Sequence, residues 1–312
     1  MLTRVILLRM ADSPTMRRAV ETRGWRFASR FVAGRTLDEA IGAVRALNAA
    51  GIGATLSHLG EHISDEERAR EEAASFVSSL ARLHEERLRC GLSIKPSQLG
   101  MEIEPRMAQA GILGITEAAA RTGQFVRVDM EDSTVTDATL ALVRAVHAAY
   151  PNIGVVIQSY LRRSAGDVEA LNADGISVRL CKGAYNEPPS VAFPTKGEVD
   201  DSYRALMRAL LFDGIHPAVA THDEAMVQEA RRIVANDLPA AGAPVRPNVH
   251  LTQWEFQMLY GIRRDLQRDL VADGYRVRVY VPYGAEWYPY FMRRLAERPA
   301  NVGFLLRQLL KR

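Results

Sequence analysis

Only two cysteines occur in the chain, Cys90 and Cys181, far apart in sequence and without a CxxC partner. That excludes a disulfide scaffold and a paired thiol or CxxC-type metal centre, and it fits a reducing cytosol. No stretch approaches the ~20 apolar residues that span a bilayer. Val5–Leu8 is too short an apolar run for a signal-peptide core, and no cleavage-type segment follows it. The expected location is therefore cytoplasmic, or peripheral at the cytoplasmic face of the membrane. Low-complexity tracts are absent. So is any basic stripe interleaved with aromatics, because 40 basic and 37 acidic residues are spread along the chain for a formal charge of +3. A nucleic-acid partner is excluded on that ground. No GxGxxG turn follows the first strand, which argues against a doubly wound dinucleotide sheet. Histidines 58, 62, 84 and 222 form no HxH pair at a strand end, so no metal site is expected.

What the chain does have is apolar content for a large core, 47% hydrophobic residues with 25% charged over 312 positions. The first part reads as helices. Ser13-Pro14 is an N-cap with proline at the first helical position. Thr36 and Glu39 form a capping box, and Gly51 ends the helix they start. From there short apolar runs alternate with amphipathic segments. Strands are expected at 54–57, 92–95, 125–129, 153–158, 176–181, 218–221, 255–259 and 277–281, although 253–259 also suits the start of a helix. Helices are clearest over 65–89, 135–150, 199–211 and 224–235, with Ser64 and Glu67 as a second capping box. Eight strand–helix units predict a single (β/α)8 domain over residues 1–312, with helices in 1–53 and the barrel with its C-terminal helices in 54–312.

In such a barrel functional groups cluster at the C-terminal strand ends. Those ends carry His58, Lys95, Asp129 with Glu131, Gln158, Arg179 with Lys182, and Thr221-His222-Asp223. A helix-capping role accounts equally well for Ser64 and Asp223. Arg179–Tyr185 (RLCKGAY) ends the fifth strand with two cations and a small-residue turn, which suits a phosphate or carboxylate. A lysine there could equally form a Schiff base. Near the C-terminus, Tyr290, Arg293, Arg294 and Glu297 share one helical face, with Phe291, Met292 and Leu295 on the other. Two adjacent arginines framed by an aromatic ring can grip a carboxylate. A solvated face with a Glu–Arg pair worth only ~0.5 kcal/mol is the plainer alternative. The preceding Val279–Gly284 segment, directed at the same barrel end, favours the grip.

Arg179–Tyr185, Ala220–Asp223 (ATHD), Glu255–Gln257 (EFQ) and Tyr280–Arg298 (YVPYGAEWYPYFMRRLAER) together resemble the proline dehydrogenase family, in its short monofunctional bacterial form. The resemblance implies a distorted barrel that binds FAD, oxidises L-proline to Δ1-pyrroline-5-carboxylate and passes electrons to a membrane quinone. Carried over by position, Arg293, Arg294 and Lys95 grip the proline carboxylate, and Asp129 orients that cluster. Leu180, Tyr280 and Tyr290 wall the pyrrolidine ring. Arg179 lies near flavin N5, with Met130 and Gln158 along the isoalloxazine. Lys182, Gly183, Ala184, Thr221 and His222 hold the ribityl and phosphate portion, Tyr185 packs at the pocket edge, and Glu297 supports the arginine pair. Peripheral membrane contact and a homo-oligomer are compatible with this reading. Three other readings make separate demands. A Schiff-base aldolase would use Lys95 or Lys182, a non-catalytic barrel would bind a carboxylated metabolite or a partner, and a metal hydrolase would draw on the histidines.

Overall fold

The computed structural model describes residues 24–237 and 254–297; the N-cap expected at Ser13 lies outside them. Eight parallel strands close into a barrel in sequence order. They are β1 (Gly53–His58), β2 (Cys90–Ile94), β3 (Val126–Val128), β4 (Ile153–Gln158), β5 (Ser177–Cys181), β6 (Ala218–Ala220), β7 (Glu255–Leu259) and β8 (Val277–Tyr283). All eight expected strands form, and 255–259 is a strand. The barrel closes by in-register pairing of β1 with β8, from Gly53 opposite Arg278 to His58 opposite Tyr283.

The helices follow the local signals, with one correction. Helix α1 is Trp25–Ala28 and α2 is Leu37–Ala49, started by the Thr36–Glu39 capping box. Helix α3 is Glu66–Glu85, and its cap is Asp65, whose carboxylate accepts from the Arg68 amide at 2.9 Å. Ser64 is not the cap. Asp65 occupies the extended cap conformation, and a carboxylate satisfies the free amides at least as well as a serine hydroxyl. After β2 comes α4 (Pro105–Arg121), with proline in the first turn, and after β3 comes α5 (Thr136–His147). Next are α6 (Ser164–Ala173) and α7 (Lys196–Asp213), the latter opened by a Thr195–Glu198 capping box. Helix α8 (Glu224–Arg232), α9 (Arg264–Ala272) and α10 (Trp287–Glu297) complete the set among the described residues. None of the described helices is long and apolar enough to cross a membrane.

Two-residue periodicity sorts the strand residues between two environments. Leu56, Leu92, Ile94, Val128, Val155, Ile157, Val178, Val219, Phe256 and Val279 belong to the apolar core that packs strands against helices. The alternate positions hydrogen-bond to one another inside the barrel, which is ionic and amide-rich rather than filled by branched aliphatics. A smaller cluster joins Ala28 and Val32 to Trp287, Phe291 and Leu295, so α1 and its following turn cover α10.

Candidate active site

The barrel floor is a chain of charged and amide groups that runs from Arg278 to Asp129. Glu255 accepts from Arg278 Nε at 2.7 Å, and Arg278 Nη1 donates to the Ala54 carbonyl at 2.8 Å. Gln257 Nε2 donates to Glu255 Oε1 at 2.6 Å, and Gln257 Oε1 accepts from Arg179 Nε at 2.5 Å. Arg179 Nη1 reaches Asp129 Oδ1 at 2.8 Å and Ser93 Oγ at 3.1 Å, while Ser93 donates to the same carboxylate oxygen at 2.7 Å. The Tyr280 hydroxyl lies 3.1 Å from Asp129 Oδ2 and 2.8 Å from Ser57 Oγ. A carboxylate only accepts, so the single phenolic proton goes to Asp129 and Ser57 donates to Tyr280. Buried charges are tolerable here because each finds a partner. Arg127 is the extreme case. Burial, and then the Arg179 charge, push its guanidinium down to about 9, while Glu255 and Asp129 act against that. The Ser177 carbonyl at 2.6 Å, the Ser177 hydroxyl at 2.9 Å and the Val155 carbonyl at 3.1 Å accept from it, leaving Nε without a partner among the described residues.

Above this floor stands a cationic group. Lys95 is buried at the end of β2, with Glu61 at 3.8 Å. Burial works against its ammonium, but Tyr280, Asp129 and Glu61 outweigh it and raise its pKa. A raised amine pKa is the opposite of the depressed lysine that a Schiff base needs. Lys182, the other candidate, is held by Asp200 at 2.5 Å and Asp223 at 2.7 Å. Arg293 forms a two-pronged pair with Glu61 at 2.7 and 3.0 Å, and the Arg294 guanidinium lies 5.2 Å from the Tyr290 ring centre. Burial opposes ionisation of Glu61, but Lys95 and then Arg293 prevail and hold its carboxyl below the usual range.

On the other side of the cavity the strand ends form a softer wall. The amide nitrogen of Gln158 faces the Glu131 carbonyl at 3.3 Å, which leaves Gln158 Oε1 buried with no partner among the described residues. Arg179 Nη2 is buried and unpartnered in the same way. Gly183 has φ +108, and a Cβ there would lie 2.2 Å from the Tyr160 ring, so the turn after β5 requires glycine. His222 Nε2 accepts from the Leu259 amide at 2.9 Å, which places its proton on Nδ1.

One cavity of about 490 Å³ joins the two walls. It is lined by Lys95, Asp129, Met130, Gln158, Arg179, Lys182, Gly183, Ala184, Tyr185, Thr221, His222, Tyr280, Tyr290, Arg293 and Arg294, so nearly every expected site residue is brought together. Leu180 is the exception. It is fully buried in the core and does not line the cavity, because on β5 it alternates with Arg179 and Cys181, which do. Glu297 ends α10, but its side chain lies outside the described residues. His58 does not line the cavity either; it pairs with Glu72 at 2.6 Å and stacks on Tyr283. The β1 end contributes Glu61 instead, from a loop that neither period nor capping marks. Gln257 and Asp223 also line the cavity; the first was visible only as part of the EFQ motif, the second as a strand-end group in ATHD with a helix cap as its alternative. Among the described residues no three His, Cys, Asp or Glu side chains converge as a metal would require.

Comparison with known proteins places this geometry. The family model described as proline dehydrogenase matches residues 40–307. Proline dehydrogenase 1 of Bacillus subtilis (strain 168) is 37% identical over 311 residues, covering 99% of each chain. The proline dehydrogenase of Deinococcus radiodurans is 38% identical over 315 residues, 99% of this chain and 98% of its own. Among solved structures, proline utilization A from Bdellovibrio bacteriovorus inactivated by N-propargylglycine shares the fold with a TM-score of 0.77 at 23% identity. That alignment covers 89% of this chain and 33% of the other. The chain belongs to the proline dehydrogenase family.

Proposed function

We propose, from that membership and from the cavity's chemistry, that this protein oxidises L-proline to Δ1-pyrroline-5-carboxylate with FAD as its cofactor and a membrane quinone as the final electron acceptor. An oxidoreductase acting on proline in proline catabolism is what the family establishes; product, cofactor and acceptor are our reading. The observation that carries it is a single cavity with a cationic end and, at the other end, two buried polar atoms that lack partners among the described residues.

The residues present fit a flavin. Gln158 Oε1, buried without a partner among the described residues, could accept from a flavin N–H, and Arg179 Nη2, likewise unpartnered, could donate to a flavin nitrogen or oxygen. Met130 supplies an apolar neighbour for the ring system. Gly183 and Ala184 bring backbone close to the cavity, and with Thr221, His222 and Lys182 they would hold the ribityl and phosphate portion. Lys182 is shared with Asp200 and Asp223, so a phosphate group would compete with two carboxylates for it. Bound there, a flavin would supply the two-electron acceptor for a hydride from proline C5; the substrate amine would give its proton to solvent as the C5–N bond becomes double.

The chain's own part is binding and orientation. Lys95, Arg293 and Arg294 suit the substrate carboxylate, and the Tyr280 and Tyr290 rings suit the pyrrolidine methylenes. The carboxylate reaches Arg293 in competition with Glu61. Asp129 fixes Tyr280 on one oxygen and Arg179 on the other, tying the substrate wall to the cofactor wall. Positioning of this kind accounts for much of the rate in hydride transfer. We take the whole chain as one catalytic unit in which α1 and α2 brace the barrel.

The test is an absorption spectrum of the purified protein before and after anaerobic L-proline. Flavin bands near ~450 nm that bleach with L-proline support cofactor, substrate and direction together. A yellow protein that does not bleach leaves the flavin and removes proline. A colourless protein that takes up no FAD overturns the reading.

A further inference from the structure

The polar pair of β7, Glu255 and Gln257, has no place in the scheme above, yet it is wired to the centre of the site. The two residues are separated by two strand positions, so both face the barrel interior. Arg179 Nε can only donate, so it requires the oxygen end of the Gln257 amide. Glu255, as a carboxylate, can only accept, so it requires the nitrogen end. The two contacts, at 2.5 and 2.6 Å, therefore agree on one amide orientation. The same Glu255 oxygen accepts from Arg278 at 2.7 Å, and Arg278 is anchored to the β1 backbone through Ala54.

Arg179 consequently has two of its three nitrogens held on separate strands: Nε by β7, and Nη1 by Asp129 and Ser93. Two fixed nitrogens set the plane of a rigid guanidinium, whereas one leaves it free to pivot. The third nitrogen, Nη2, is the one without a partner among the described residues. We infer that Gln257 and Glu255 are positioning residues that hold Arg179 so that Nη2 is presented to the reacting cofactor, with Glu255 setting the polarity of the Gln257 amide. The inference rests on the flavin reading proposed above.

Two measurements test it, the first on the full-length apoprotein. With 15N-labelled arginine, the Nε–H resonance of Arg179, assigned by its loss in Arg179→Lys, exchanges slowly in the wild type and loses protection in Gln257→Met. Equal protection in the two proteins, or none in the wild type, overturns the inference without reference to flavin. The second is anaerobic flavin reduction by L-proline. Gln257→Met lowers the rate at saturating proline by ~10- to ~100-fold while KM stays within ~2-fold, as misdirection of a reacting group requires. The exchanged variant Glu255→Gln/Gln257→Glu again offers Arg179 an acceptor, the carboxylate moved to position 257. Because one Glu255 oxygen serves both Gln257 and Arg278 in the native chain, the new amide must turn its oxygen to Arg278 and its nitrogen to position 257. The exchanged variant recovers to within ~3-fold of wild type if orientation is what matters. A folded Gln257→Met enzyme reducing flavin at the wild-type rate sinks the proposal, as does an exchanged variant that folds but is no faster than Gln257→Met. Wild-type protein that binds FAD but is not reduced by proline removes the functional reading instead, and the exchange experiment then decides the positioning by itself.

Discussion

Arg293 and Arg294 are neighbours on α10 but meet different surroundings, one committed to Glu61 and the other set against the Tyr290 ring. Arg294→Ala should raise KM for proline by about two orders of magnitude, the usual cost of truncating one partner of a desolvated charge pair. FAD should stay bound, so the ratio of flavin to protein absorbance is the control, and loss of flavin would contradict the grip on the carboxylate. Gly183→Ala should do the reverse. Its Cβ meets the Tyr160 ring at a backbone angle that L-residues avoid, so FAD affinity falls at least ~10-fold in a fluorescence titration. Glu131 gives a pH test. Burial raises its carboxyl pKa above the ordinary 4.5, despite bonds at 2.5 Å from the Ser97 hydroxyl and 3.0 Å from its amide. The unfolded chain ionises first, so the native state binds more protons in that window and stability falls as pH rises through it. Glu131→Gln can still accept from the Ser97 amide and donate to its hydroxyl. Its melting temperature should gain on the wild type as pH rises from ~4 to ~7; parallel melting curves would refute this.

Elements were legible wherever one signal dominated. Alternation with a run of β-branched residues marked β4 and β5 within a residue, and the Thr36–Glu39 box marked α2. Ser64 lost to Asp65 because neighbouring residues both suit a cap and sequence alone does not rank them. Helix α4 had only its first-turn proline as a start signal, and α6 had no cap marker at all. The two-faced reading of α10 holds for its described side chains: Tyr290, Arg293 and Arg294 line the cavity, and Phe291, Met292 and Leu295 pack in the cluster with α1. Tyr290, Phe291, Met292 and Leu295 are all buried, since the helix sits between the cavity on one side and α1 on the other. On the proposed substrate grip, that packing makes α1 part of the substrate site at one remove. Phe291→Ala should cost ~3–5 kcal/mol of stability by denaturant unfolding. Because both arginines ride on α10, KM for proline should rise while the FAD dissociation constant is unchanged. An unaltered KM in a destabilised but folded variant would show the helix to be passive.

At the scale of the whole molecule, strand count, order and the location of the site at the C-terminal strand ends could all be read from the chain. What could not be read was which groups answer one another across the barrel. Glu61 reaches Arg293, and Asp129 meets both Arg179 and Tyr280, through closure of the sheet rather than through any local spacing. Leu180 shows the same limit in reverse. Its position in the RLCKGAY motif places it beside the site residues, and the pleat turns it away.

That closure also sets an order of events during synthesis. Arg278 donates to the carbonyl of Ala54, 224 positions earlier in the chain. At ~5–20 residues per second, β1 waits roughly ten to forty-five seconds on the ribosome before its closing partner exists. Until then both sheet edges are open, and the floor of the site lacks Arg278 and Tyr280. The arginines of α10 are translated later still. On the proposed substrate grip, a nascent chain cannot hold proline until α10 has been made, well after β1 first presents an open edge.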